Sequence, residues 1–154
     1  MTPTPEFDLD KAHHFFAANC FNRTWDFMDK ASRTPEDDLA MLLSSMASLW
    51  HWTRRKDVTP TNLSIGYWQL SRVYTLLGQA ENARMFGQYC LEASRKEGVQ
   101  PFYLGYAYEA LSRAEKVAGD TDQAKTYLTL AREACEKISD DEEKKMLLKD
   151  LETL

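Results

Sequence analysis

A pattern that recurs after 41 residues constrains the fold of this chain more than any other sequence feature. The segment from Tyr67 to Ala83 places tyrosine, leucine, a serine-arginine pair, glycine and alanine at intervals that are repeated from Tyr108 to Ala124. Because the shared spacing runs through one helix, a glycine turn and a second helix, both copies are predicted to form the same helical hairpin. A less regular copy begins near Phe21, which gives three hairpins, about the minimum for a stable stack.

Proline and glycine positions divide the chain into helices. Proline is tolerated in the first turn of a helix, and glycine commonly follows the last turn. No segment shows the alternation of apolar and polar residues that a strand needs, so the predicted fold class is all-α. The predicted helices span residues 8–30, 35–55, 60–77, 80–97, 101–118, 121–138 and 140–152. The last of them is predicted to begin with a capping box formed by Ser139 and Glu142.

The repeated residues resemble the tetratricopeptide (TPR) repeat. In that family a small alanine on the second helix, here Ala83, lets the paired helices approach closely. Ser71 and Ser112 replace the usual glycine, and the period exceeds the usual length of about 34 residues by about two helical turns. The resemblance implies a right-handed α-α superhelix of three TPR-like helical hairpins in a single domain over residues 1–154. The hairpins would cover about 8–55, 60–97 and 101–138, with a C-terminal capping helix at 140–152.

The whole chain also resembles a family of bacterial proteins of the same length that has no assigned activity. The runs that carry this likeness are 21–25, 33–38, 51–52, 68–74 and 107–114. Because that family has no assigned activity, the likeness supports the fold and leaves the function open.

The acidic composition argues against two classes of partner. The formal net charge is −5, whereas proteins that bind duplex nucleic acid or anionic membranes present dense lysine and arginine surfaces. The chain also has no apolar run of about 18 residues, the length that a membrane span requires. Its three cysteines lack the spacing of a disulfide framework, and the segment from Met1 to Asp10 lacks the features of an export signal. These observations predict a cytoplasmic protein.

Catalytic and metal-binding motifs are absent from the sequence. His13 and His14 are adjacent on a helix and point about 100° apart, and His51 is distant in sequence, so no metal site is predicted. The acidic runs 36–38 and 140–143 stand at predicted helix N-termini, where the helix dipole favours negative charge. We therefore expect neither an enzyme nor a cofactor.

The TPR resemblance also implies a ligand-binding groove, because in that family the first helix of each pair lines a concave face. Its lining is assigned to Ile65, Trp68, Gln69 and Arg72 in the second repeat, Tyr106, Glu109 and Arg113 in the third, and Asn19 and Arg23 in the first. Arg23, Arg72 and Arg113 take equivalent positions and are predicted to form a row that binds carboxylates or phosphates. The alternative is internal pairing, since Glu109 lies four residues before Arg113.

The predicted function is that of a non-catalytic helical-repeat scaffold that binds a protein or peptide segment, expected to be acidic, in this groove. The alternative is a regulator that binds a small anionic ligand or a signalling peptide at the same place. Neither nucleic acid nor membrane is an expected partner.

Two apolar features add to this interpretation. Trp50 and Trp52 point to different sides of one helix, so one indole is predicted to reach the surface or the groove unless neighbouring helices cover both. Leu147, Leu151 and Leu154 form a stripe that is predicted to pack on the third hairpin, with a homodimer as the alternative use of the stripe.

Overall fold

The structure, a computed structural model, describes residues 3, 4 and 6–154. Every regular element in this part is an α-helix, which confirms the all-α class. The helices are α1 (Leu9–Met28), α2 (Pro35–Arg54), α3 (Pro60–Leu76), α4 (Ala80–Ser94), α5 (Pro101–Ala118), α6 (Thr121–Glu136) and α7 (Asp141–Leu151). Each predicted helix is confirmed to within a few residues. Met1, Thr2 and Pro5, part of the segment that lacks export features, lie outside the described residues.

The chain divides into two compact units, Met1–Thr59 and Pro60–Leu154. Unit 1 contains α1 and α2, and unit 2 contains α3 to α7. The single domain and the right-handed superhelix stay predictions. No helix in the described residues is long and apolar enough to cross a bilayer.

Local signals set the helix ends. Helices α2, α3 and α5 begin at the predicted prolines, Pro35, Pro60 and Pro101. The predicted cap of α7 is wrong, because Asp140 rather than Ser139 is the N-cap, and its side chain accepts from the backbone N–H of Glu143. A carboxylate at this position accepts the same hydrogen bond as a hydroxyl and adds a favourable interaction with the helix dipole, which explains the shift of one residue.

Helices α1 and α2 form the hairpin of unit 1 through small residues. Ala17 is fully buried, and the Ser48 hydroxyl donates to its main-chain oxygen over 2.8 Å. Met41 is buried on the same inward face of α2. One face of α2 therefore packs against α1.

In unit 2 the repeated serines make equivalent contacts. The Ser71 hydroxyl on α3 donates to the main-chain oxygen of Ala83 on α4 over 2.8 Å. The Ser112 hydroxyl on α5 donates to Ala124 on α6, also over 2.8 Å. The serines that replace the usual glycine thus tie the first helix of each pair to the second, and the prediction of like hairpins is confirmed at this contact.

Helix α7 packs against the α5–α6 pair. Leu147 and Leu151 form one buried cluster with Ala131, Cys135 and Ile138, and the partly buried side chains packed against this cluster are Phe102, Tyr106, Tyr108, Leu128 and Leu154. A Cβ added at Gly105 would overlap the Leu147 side chain, so the glycine lets this leucine approach α5 closely. The predicted apolar stripe of α7 is therefore a contact within unit 2, as expected for a capping helix.

Replacing Leu147 by alanine tests this docking. We expect Leu147→Ala to lower the free energy of unfolding by about 2–5 kcal/mol, because it leaves a cavity beside Gly105. Leu148→Ala, at a side chain that is 38% exposed, is the control and should change it by less than about 1 kcal/mol. Equal losses in chemical denaturation would contradict the packing described here.

Candidate functional site

Four charged residues of unit 2, Arg72, Glu109, Arg113 and Asp150, interact with one another and are called the charged cluster below. Glu109 on α5 is only 1% exposed. Its carboxylate accepts from the Trp68 indole N–H on α3 over 2.8 Å and from Nε of Arg113, one turn further along α5. A buried carboxylate is stable only with such partners, so Glu109 fixes the positions of both neighbours.

Arg113 is engaged within unit 2 through Nε and Nη2. Besides its ion pair with Glu109, its Nη2 donates to the main-chain oxygen of Asp150 over 3.1 Å and to Oγ1 of Thr153 over 2.6 Å. The internal pairing considered for this arginine is therefore confirmed. In this arrangement its guanidinium ties α5 to the end of α7.

Arg72 has a different environment, although it is the repeat equivalent of Arg113. Burial lowers the pKa of Arg72 and the neighbouring charge of Arg113 lowers it further, while Glu109 and Asp150 act in the opposite direction. The side chain is partly buried, yet among the described residues its guanidinium has no hydrogen-bond or ion-pair partner. Arg72 is therefore a positive group with unused donors, placed in a field that includes two carboxylates and a second cation.

Residues at the end of α7 cover other predicted groove positions of the third repeat. The Tyr106 hydroxyl donates to Oδ2 of Asp150 over 2.6 Å, and burial together with this carboxylate raises the pKa of Tyr106. Lys116, a further polar residue of α5, donates to the main-chain oxygen of Leu154 over 2.9 Å. These side chains bind the segment from Asp150 to Leu154. Arg72 is the cation of the charged cluster that has no hydrogen-bond partner among the described residues.

The remaining predicted site residues have varied surroundings. On α3, Ile65 is half-buried, whereas Gln69 is buried and has a partner. In unit 1, Asn19 and Arg23 are exposed, and the Arg23 guanidinium lies 5.9 Å from the centre of the Phe27 ring. The place of Arg23 in a row with the other arginines stays a prediction.

Sequence reasoning missed a partly buried ion pair between α4 and α5. Nε and Nη2 of Arg84 donate to the two oxygens of Glu115 over 3.0 and 2.6 Å. Glu115 is the repeat equivalent of Tyr74, whose ring stacks on Phe86 at 5.7 Å. The only sequence signal was this change from tyrosine to glutamate at a buried position, which calls for a cation on a neighbouring helix.

Two histidines that are distant in sequence meet in unit 1. Nδ1 of His13 and Nδ1 of His51 are 2.9 Å apart, so one ring donates and the other accepts. Burial lowers the pKa of His51, and the proximity of His13 lowers it further. His14 lies instead 3.6 Å from a carboxylate oxygen of Asp57. The part of the chain that the structure describes has no group of three or more histidine, cysteine or acidic side chains suited to hold a metal ion.

The tryptophans of α2 and the cysteines differ in their exposure. Trp50 is exposed, while the Trp52 ring is covered by the Arg55 guanidinium at 4.0 Å, so the prediction that one indole reaches the surface is confirmed. All three cysteines are free. Cys90 is completely buried, which raises the pKa of its thiol to about 12 and leaves it protonated at neutral pH.

Comparison with known proteins identifies no relative. No protein-family model matches the chain, and no curated protein or solved structure matches it either. The TPR resemblance therefore stays a prediction from the residues.

Removing Arg113 tests the structural role of its pair with Glu109. We expect Arg113→Ala to lower the free energy of unfolding by about 3 kcal/mol, because Glu109 would keep a buried charge without a cation. Adding Glu109→Gln to that variant should recover part of the loss, since the buried group becomes neutral. Arg132→Ala, at an exposed position on α6, is the matched control and should be neutral in urea denaturation.

The histidine pair predicts a pH dependence of stability. Because the pKa of His51 is below its usual 6.5 in the folded state, the unfolded chain binds the proton more readily. Stability should be complete above pH 6.5 and fall as the pH drops toward the folded pKa. We expect His51→Gln to flatten this decline and His14→Gln to leave it unchanged, as measured by unfolding between about pH 7.5 and 5.5. A decline of the same size in His51→Gln would contradict this assignment.

Proposed function

We propose that this chain is a non-catalytic helical-repeat interaction module that binds an anionic segment of a protein partner, with Arg72 as the principal contact. The observation that carries the proposal is the contrast between two equivalent arginines. Arg113 is held by Glu109 and by the end of α7, whereas Arg72 has unused donors among the described residues. A partly buried guanidinium without a partner can bind a carboxylate or phosphate through two parallel hydrogen bonds.

The surroundings of Arg72 support recognition of an anion. Arg113 offsets part of the negative charge of Glu109 and Asp150, and partial burial lowers the local dielectric, so a direct contact between an anion and the Arg72 guanidinium would be stronger than at an exposed arginine. The carboxylate of Glu109 faces Trp68 and Arg113, and therefore its hydrogen-bonding capacity is largely taken by the protein itself. An incoming anion would replace the hydration of Arg72 without breaking an existing pair.

The proposed partner is a protein segment because two aromatic side chains, Trp68 and Tyr106, donate to the carboxylates of the charged cluster that contains Arg72. Trp68 and Tyr106 meet edge to face, with ring centres 5.6 Å apart, and both stand at positions that the TPR resemblance assigns to the groove. In the proposed right-handed superhelix of three hairpins, these rings line the concave face. Aromatic side chains beside an arginine are typical of surfaces that bind peptides tightly.

The polar groups of this region are engaged with each other, which favours binding over catalysis. Glu109, Arg113 and Asp150 have protein partners, and the buried thiol of Cys90 stays protonated. Three free cysteines fit the reducing cytoplasm that we propose as the location.

A second candidate function is favoured by the contacts of α7. Because Arg113 and Lys116 already donate to residues of the segment 150–154, fewer cationic donors remain for a long partner at this end. A small anion needs contact with Arg72 alone and not with an extended positive surface. A protein that binds such an anion at Arg72 would act as a regulator that senses an anionic metabolite.

Arg72→Gln tests both candidates through fluorescence anisotropy of a labelled acidic peptide, with inorganic phosphate and citrate as small-anion probes. We expect the variant to raise the peptide Kd more than about tenfold, because a charge-assisted contact is lost. Its melting temperature should not fall, since the removed charge is desolvated and repelled by Arg113. Arg132→Gln makes the same charge change at an exposed position and should leave the Kd unchanged.

The results of these binding measurements distinguish the two candidate functions. Peptide binding that depends on Arg72 supports the interaction module. Saturable binding of phosphate or citrate that excludes the peptide supports the small-anion regulator. Equal weakening by both variants, or binding that survives in Arg72→Gln, would show that Arg72 is not the contact.

A further inference from the structure

Helix α2 carries a second apolar stripe whose side chains are exposed, with the His13 ring of α1 lying 5.5 Å from the Trp50 ring at one end. The inward face of α2, with Met41 and Leu49, is buried in unit 1. The outward stripe consists of Leu39, Leu43, Met46 and Trp50, which are 58, 56, 39 and 56% exposed. Its spacing of four, three and four residues keeps all four side chains on one line along the helix, since each residue advances by about 100°. Such spacing is typical of a helix that packs against another helix on that side.

We infer that this stripe, called the α2 stripe, packs antiparallel against the same stripe of a second copy of the chain. The order of the side chains is self-complementary about a two-fold axis between Ser44 and Ser45. That axis places Leu39 opposite Trp50 of the second copy and Leu43 opposite its Met46. Each leucine thus meets a larger or more flexible side chain of the second copy. Each contact occurs twice, as an isologous interface requires.

The charges at the two ends of α2 select the antiparallel orientation. Its first turn is acidic, with Glu36, Asp37 and Asp38, and its last turn contains Arg54. Asp37 and Asp38 already pair with Lys30 and Arg33 inside the hairpin. A parallel pair would bring like charges together at both ends, whereas an antiparallel pair brings acidic and basic ends together.

Glu36 and Arg54 are the two residues left for this contact. Both are exposed, and neither has an ion-pair partner among residues 3, 4 and 6–154. They lie on the same flank of the α2 stripe, about 50° from its centre at about 100° per residue. On antiparallel helices the same flanks face each other, so Glu36 of each copy would meet Arg54 of the other. Arg55 is not available, because it pairs with Asp57.

Side chains of α1 extend the apolar surface at the Trp50 end. The Phe16 ring lies 5.3 Å from the His51 ring, which in turn contacts the Trp50 ring at 5.0 Å. Phe15 packs edge-on against Phe16. Both phenylalanines are exposed. Because the proposed dimer is symmetric, each copy would cover the Trp50 end of the other.

Sedimentation velocity over a concentration series tests the inference on the intact chain. We expect a dimer that dissociates on dilution with a Kd of about 1–100 µM, as suits one short helix pair. Leu43→Glu should be monomeric at every concentration while its helical content stays unchanged, and its melting temperature should equal that of the wild type at concentrations well below the dimer Kd, because the residue is exposed in the single chain. Met85→Glu, at an exposed apolar position on α4, is the matched control and should dimerise like the wild type.

Charge reversal tests the orientation. Glu36→Arg and Arg54→Glu should each weaken the dimer roughly tenfold, because each change converts two ion pairs into two repulsive contacts. An equimolar mixture of E36R and R54E should dimerise at least as well as the wild type, since both opposite-charge contacts are restored between unlike chains. The double variant E36R/R54E should also recover.

A wild type that stays monomeric up to about 200 µM, above the expected Kd range, would overturn the inference and leave the stripe to a partner of another kind. A dimer that Leu43→Glu does not weaken would place the interface elsewhere on the chain. A mixture of E36R and R54E that remains monomeric would overturn the antiparallel arrangement. None of these measurements depends on Arg72, so the proposed function and this inference can fail separately.

Discussion

The buried carboxylate of Glu109 is the constraint on which unit 2 depends. It is almost inaccessible to solvent, and it is stable because α3 supplies the Trp68 indole and α5 supplies Arg113. Arg113 then reaches Asp150 and Thr153 at the end of α7. One desolvated charge therefore connects three helices. Because an unpaired buried carboxylate would be costly, Glu109 keeps Arg113, and not Arg72, as its ion-pair partner.

Two hairpins with equivalent residues but different neighbours explain the candidate site. Arg72 and Arg113 occupy equivalent positions, but α7 packs against the third hairpin, on α5 and α6, and its last residues bind Arg113. No equivalent segment donates or accepts at Arg72 among the described residues. This difference at the end of the repeat thus makes one arginine a structural residue, and its equivalent is the one that we propose as the contact for an external anion.

The sequence predicted the helices and the equivalence of the repeats because these depend on local signals. Prolines start α2, α3 and α5, and the spacing of Ser71 and Ser112 reproduces one contact in two hairpins. It did not predict the contact of His13 with His51, or the pair of Arg84 with Glu115, because each joins residues on different helices with no shared motif. The different partners of Arg72 and Arg113 were not predictable either, because they depend on where α7 packs, and no sequence motif indicates that position.

Side-chain NMR of the arginine Nε–Hε groups tests the central claim most directly, because it observes both guanidinium groups in one sample. In the protein alone, the Hε of Arg113 should be protected from solvent exchange by its carboxylate partner, whereas that of Arg72 should exchange rapidly. Adding an acidic peptide should shift and protect Arg72 and leave Arg113 nearly unchanged. Protection of Arg72 before any ligand is added, or a peptide-induced shift of Arg113 in its place, would contradict the account.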